Sequence, residues 1–186
     1  DLVFTPVPTR DGYEFAGWAD RSNADTPDYT ATGTTTANVV KTNNPKTVYA
    51  VWTPLYKVTY ADATDADGHT YPKLDTALPK DTNTYKKAAS VTVKYADGYA
   101  VNDQVANGSG LYYTFTGWKR SDTGVVISVT SLSMPDSDLT LTATWAPVML
   151  NVTYDLNGGT AGTPAPTDPS VPSKVQKGDT YTIKAG

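Results

Sequence analysis

At 186 residues, with a net charge of −4 and a sequence pI near 4.8, the chain has room for one large domain or two small modules. It lacks the basic footprint of a nucleic-acid or anionic-membrane binder. No cysteine is present, which excludes a disulfide framework and a thiolate metal site, and no apolar stretch approaches the roughly 18–20 residues that span a bilayer.

In chain order, the first element is the block Gly12-Tyr13-Glu14-Phe15-Ala16-Gly17-Trp18, entered through an Asp11-Gly12 turn. Alternation puts Tyr13 and Phe15 on one face of a strand and Glu14 and Ala16 on the other. A second strand, Thr47-Val48-Tyr49-Ala50-Val51-Trp52, shows Val48, Ala50 and Trp52 on one face. After Thr53-Pro54 comes Tyr56-Lys57-Val58-Thr59-Tyr60, then the acidic turn Ala61–Gly68, then the alternating run Ser90-Val91-Thr92-Val93-Lys94. Near residue 112 the first pattern returns as Tyr112-Tyr113-Thr114-Phe115-Thr116-Gly117-Trp118. It is followed by Val125–Val129, by Leu139–Trp145 and, after Ala146-Pro147, by Leu150-Asn151-Val152-Thr153-Tyr154. An Asn157-Gly158-Gly159 turn with positive φ, a proline-dense connection over Pro164–Pro172 and the strand Thr180–Lys184 close the chain. Strand formers (Thr, Val, Tyr) abound, and no segment of ten residues carries a helical period. The fold class is therefore mainly β, in tandem small modules with at most one short helix each, around Ser131–Asp136 or Thr35–Val40.

The repetition sets the organisation. Leu55–Pro147 (55–147) reads as a complete repeat of 93 residues; Asp1–Pro54 (1–54) resembles the C-terminal half of one and Val148–Gly186 (148–186) the N-terminal half of a further one. Those halves are 54 and 39 residues long, together the length of the central unit, so the chain reads as a fragment of a longer array. Trp18, Trp52, Trp118 and Trp145, with Tyr13, Phe15, Tyr113 and Phe115, recur at fixed places, as structural core anchors do. A sugar-stacking platform is the weaker reading of the same rings. Gly17 and Gly117, before Trp18 and Trp118, suit a bulge or a close backbone approach.

The order Val152–Gly159, Gly178-Asp179-Thr180-Tyr181, Pro8–Trp18 and Val48–Trp52 resembles the Listeria–Bacteroides repeat, also known as the internalin B-repeat. The central unit keeps Tyr113–Trp118 and Ala143-Thr144-Trp145, but it lacks the Asn-Gly-Gly turn and carries longer loops. The resemblance implies a β-grasp-like module strung in tandem in secreted or wall-attached bacterial proteins, located extracellularly at the cell surface or cell wall. Such proteins serve as adhesins or as stalks in cell adhesion. It supplies no catalytic residue and no cofactor.

Other motifs offer little chemistry. Asp62, Asp65, Asp67 and Gly68 miss both defining ligand positions of an EF-hand, which leaves a solvated acidic turn, or a looser calcium site, as their reading. His69, the only histidine, has no nucleophile block around it, and no catalytic, cofactor or metal residue is assigned. An isopeptide staple through Lys57 or Lys94 is disfavoured because alternation puts both on the polar face. The expected partners are neighbouring repeats and, alternatively, a host surface protein or glycan held by variable loops such as Asn102–Gly110. No nucleic acid and no membrane insertion are expected within this segment. A third possibility is end-to-end assembly, one chain's tail half completing another's head half.

Overall fold

The computed structural model describes residues 7–30, 47–64, 70–71, 78–96, 99–152, 157–159 and 174–180. Among them every regular element is a strand. In chain order these are β1 (Tyr13–Ala19), β2 (Tyr29–Thr30), β3 (Tyr49–Pro54), β4 (Tyr56–Ala61), β5 (Ala63–Thr64), β6 (Thr70–Tyr71), β7 (Thr84–Tyr85) and β8 (Ser90–Thr92). Then follow β9 (Gln104–Ala106), β10 (Tyr112–Arg120), β11 (Val126–Ile127), β12 (Ser131–Ser133), β13 (Leu139–Pro147), β14 (Met149–Asn151) and β15 (Lys174–Gln176). The mainly β expectation holds. Ser131–Asp136, a candidate for a short helix, instead opens with β12, because Leu132 pairs across to Val91 and Met134 exchanges backbone hydrogen bonds with Ala88 and Ala89. Thr35–Val40, Pro164–Pro172 and Tyr181–Lys184 lie outside the described residues.

Contact density divides the chain into two compact units, one of 1–58, 82–92 and 131–139, the other of 59–81, 93–130 and 140–186. In the first, β1 is the centre of a three-stranded antiparallel sheet ordered β2-β1-β3, and β8 pairs with β12. The opening residues of β4 pair with β7, Tyr56 opposite Tyr85 and Lys57 opposite Thr84. Its buried apolar side chains are Ala19, Val51, Val58, Val91, Met134 and Leu139.

In the second unit the long strands β10 and β13 pair over almost their full length. The outer edge of β10 is lined by β9 opposite Tyr112–Thr114 and by β11 opposite Trp118 and Lys119. Phe115, Trp118, Leu141 and Ala143 are fully buried, joined by Tyr60, Val93, Tyr99 and Tyr113. Alternation along β13 gives the reason: Leu141, Ala143 and Trp145 share a face that meets Phe115 and Trp118. The predicted Asn157-Gly158 turn has φ of 46° and 83°, the pair of left-handed residues that a tight hairpin turn needs.

Candidate functional site

The conspicuous residues of the sequence converge on one arrangement, made twice. In β10 the register shifts between Phe115 and Gly117: Phe115 faces Trp145 and Gly117 faces Thr144, leaving Thr116 as an extra residue. β1 does the same, with Phe15 opposite Trp52, Gly17 opposite Val51 and Ala16 as the extra residue. An inserted residue reverses the parity of a strand. Phe115 and Trp118, three apart, thereby face the same side, as do Phe15 and Trp18.

The rings then meet edge to face. Phe115 lies 5.2 Å from Trp118 and 5.1 Å from Trp145, at 69° and 68°. Phe15 lies 5.3 Å from Trp18 and 5.5 Å from Trp52, at 71° and 64°. Edge-to-face contacts of this kind add about 0.5–1.5 kcal/mol per pair beyond the area they bury. Glycine is needed at the shift, since Gly17 and Gly117 have φ of 145° and 136°. A Cβ on Gly117 would also collide with the Ile127 carbonyl oxygen. In the second unit the shift is pinned further: the Thr144 hydroxyl donates to the Gly117 carbonyl at 2.8 Å and pairs with the Thr116 hydroxyl at 2.8 Å.

The two copies differ in what covers them. Phe115 and Trp118 are wholly buried and Tyr113 nearly so, while Trp145, Tyr13, Phe15, Trp18 and Trp52 are half-buried. Three tyrosines outside the doubled block close the second copy. Tyr99 stacks on Trp118 at 5.4 Å and 13°, Tyr60 meets the same indole edge-on at 4.9 Å, and Tyr95 lies 6.4 Å from Phe115. Tyr60 could be anticipated, as the alternation partner of Val58. Tyr99, following a turn, carries no periodic signal. The indole N–H groups of Trp118 and Trp145 are buried without an acceptor among the described residues, a cost that ring packing must outweigh.

The polar groups around this core are structural in geometry. The Tyr99 hydroxyl donates to Asp62 at 2.6 Å, and burial first, then that carboxylate, pushes its pKa well above the ordinary tyrosine range. Tyr60 accepts the Lys94 backbone N–H at 2.7 Å. Lys94 alternates with the buried Val91 and Val93, as the polar-face expectation has it; its ammonium donates to the Lys80 carbonyl at 2.8 Å and stands 3.5 Å from Asp81, whose carboxylate is buried. Lys57 lies on the exposed face. Arg120 and Asp122 form a two-pronged pair at 2.6 and 2.9 Å, which lowers the Asp122 pKa against a smaller opposing effect of burial.

Of the candidate acidic ligands, Asp62 is described, between β4 and β5; Asp65, Asp67, Gly68 and His69 lie outside the described residues. Among the described residues no three His, Cys, Asp or Glu side chains are grouped to hold a metal ion, and no helix is long and apolar enough to cross a membrane. The segment Asn102–Gly110 is held by hydrogen bonds to β10 and by those of its own Asn107–Gly110 turn. β9 pairs with β10, and the Asn107 carboxamide oxygen accepts the N–H groups of Ser109 and Leu111, both at 3.0 Å.

The comparisons with known proteins fall on the same two copies. The model of the Listeria-Bacteroides repeat domain matches residues 1–51, spanning Phe15 and Trp18, and that of the divergent InlB B-repeat domain matches residues 82–149, spanning Phe115, Trp118 and Trp145. No curated protein and no solved structure matches the chain.

Proposed function

The chain belongs to the Listeria-Bacteroides and InlB B-repeat family, and from that premise we propose that it is a non-enzymatic spacer, a run of tandem repeats that holds a binding domain away from a bacterial cell in adhesion. Repeats of this family are typical of extracellular bacterial surface proteins. In this role Leu55–Pro147 is one whole repeat, flanked by the back half of one and the front half of another. The observation that carries the proposal is the aromatic cluster of Phe115, Trp118 and Trp145, rebuilt as Phe15, Trp18 and Trp52 with the same ring angles. The recurring Phe and Trp rings pack against one another in both copies, which supports reading the repeated part of the sequence as scaffold. Solenoid-like arrays behave in this way, each unit contributing its own core plus a border with its neighbour.

Small-angle scattering on versions of the chain lengthened by one, two and three further copies of Leu55–Pro147 tests the proposal. The maximum dimension should grow by a constant increment per copy. A dimension that stops growing would rule the spacer out. Binding of the chain to a glycan array or host matrix, removed by substitutions in Asn102–Gly110, would favour recognition through that loop instead.

A further inference from the structure

The border between repeats also occurs twice. In sequence, Leu55–Tyr60 matches Met149–Tyr154, and Tyr85-Lys86-Lys87-Ala88-Ala89-Ser90 matches Val175-Gln176-Lys177-Gly178-Asp179-Thr180. The structure keeps this register: Tyr56 pairs with Tyr85 where Leu150 pairs with Val175, and Lys57 with Thr84 where Asn151 pairs with Lys174. Each pairing strand leads into a turn of the same kind. Ala89 N–H donates to the Lys86 carbonyl at 3.1 Å, and Asp179 N–H to the Gln176 carbonyl at 3.0 Å. Ala88 and Gly178 hold the same left-handed place, with φ of 63° and 93°.

These borders leave little room for a hinge. Pro54 and Pro147 are the last residues of their strands, paired with Tyr13 and Tyr113. One residue, Leu55 or Val148, then separates β3 from β4 and β13 from β14. Its N–H is fixed in both copies, Leu55 donating to the Gly12 carbonyl and Val148 to that of Tyr112, both at 2.9 Å.

At the second border three backbone hydrogen bonds close a ring. Val148 N–H donates to Tyr112, Tyr112 N–H to Lys177 at 2.9 Å, and Lys177 N–H back to Val148 at 2.7 Å. Side chains reinforce it: Gln176 Nε2 donates to the Tyr112 carbonyl at 3.0 Å, and Lys177 Nζ donates to Gln104 at 3.1 Å and lies 4.2 Å from the centre of the Tyr112 ring. Gly178 is pressed so closely on the preceding Asn107–Gly110 turn that a Cβ would strike the Gly110 carbonyl oxygen. At the first border Lys86, the counterpart of Gln176, reaches back in the same direction to Glu14, at 2.8 Å.

We propose that the start of each bulged strand is a docking surface for the next copy of the repeat, and that it holds that copy at a fixed angle. The surface consists of Gly12 and Glu14 in one repeat and of Gly110, Tyr112 and Gln104 in the next. Its partner is the leading strand and turn of a following repeat, 55–57 with 84–89 or 149–151 with 174–179. The inference deepens the spacer reading and rests on it for its purpose. A rigid border in arrays that fail to lengthen would remove the spacer and leave the joint standing.

The chain has no cysteine, so Lys119→Cys and Lys174→Cys, both at exposed positions, can carry spin labels without background. Electron–electron distance measurements on the full chain should give one narrow distribution, and Gly178→Val should broaden it while tryptophan emission from the buried core stays unchanged. A broad distribution before that substitution, or a narrow one indifferent to it, would overturn the proposal. Amide exchange on the unsubstituted chain is an independent check. The Tyr112, Val148 and Lys177 amides should exchange at least about tenfold more slowly than an unstructured peptide, and free-peptide rates at all three would equally refute the joint.

Discussion

Phe115 and Trp118 stand three residues apart on one strand and yet face the same side, their ring centroids 5.2 Å apart, because Thr116 is an extra residue between them. A regular strand would send one of the two rings to each face. The spacing Phe-x-Gly-Trp is thus a compact instruction for a bulge, and glycine is the residue that permits it. Gly117→Ala should therefore be costly out of proportion to one methyl group. It combines a φ of 136° with a collision at the Ile127 carbonyl, and roughly 2–3 kcal/mol of destabilisation is expected in urea unfolding. Alanine at this position with an unchanged midpoint would show that the shift does not depend on glycine.

Burial separates the two copies of the cluster. Phe115 is fully enclosed, with Tyr95 and Tyr99 against it, whereas Phe15 is half-buried. Phe115→Ala is expected to cost about 3–5 kcal/mol, the range for a wholly buried phenylalanine. Phe15→Ala should cost clearly less, because part of its surface is already in water. Equal losses in paired denaturation curves would contradict the difference in cover.

How much of this was legible in the residues follows from what kind of interaction each relies on. The strands around Phe15, Trp52, Phe115 and Trp145 announce themselves by period and repetition, and glycine before tryptophan marks the shift. Strict alternation stops short there, since it cannot say which face Trp18 and Trp118 take until the extra residue is placed. Tyr99 is invisible for another reason: it reaches Trp118 and Asp62 from a turn, across 19 and 37 positions, and such contacts leave no local pattern. The border bonds of Val148, Tyr112 and Lys177 join backbone to backbone and are silent in side-chain identity.

Alkali should weaken the second unit through Tyr99. Its pKa is raised in the folded protein by burial and by the hydrogen bond to Asp62, so the folded state retains a proton that the unfolded chain gives up near pH 10. The corresponding stability is complete below about pH 10 and declines as pH rises further, since the native state then binds more protons than the unfolded one. Tyr95, raised by burial alone, adds in the same direction. Unfolding midpoints measured from pH 8 to 11 should fall at the alkaline end. Tyr99→Phe should flatten that fall while lowering stability at neutral pH by about 1–2 kcal/mol for the lost bond. A slope untouched by the substitution would assign the alkaline effect elsewhere.

Acid acts through the opposite sign. Asp122, held below the usual carboxylate range chiefly by its hydrogen bonds to Arg120, contributes stability that is present above about pH 4 and lost as pH falls through its lowered value. Asp122→Asn should therefore reduce the acid sensitivity of unfolding below pH 4 and leave the alkaline limb alone. Loss of the alkaline limb instead would detach the pair from the acid response.

The repeat supplies its own comparison for the last case. Ala88 holds a φ of 63° at the place where the following copy has Gly178, with a φ of 93°. An L-residue in the left-handed region costs roughly 1–2 kcal/mol, of which glycine's greater freedom in the unfolded chain returns a part. Ala88→Gly should therefore stabilise the chain by about 0.5–1 kcal/mol, read as a higher denaturant midpoint at constant slope. The reverse change, Gly178→Ala, should be unfavourable twice over, by its backbone angle and by the collision with the Gly110 carbonyl. If Ala88→Gly lowers the midpoint, the alanine methyl is making a contact at the first border that Gly178 does not make at the second, and the two borders are then less alike than their hydrogen bonds imply.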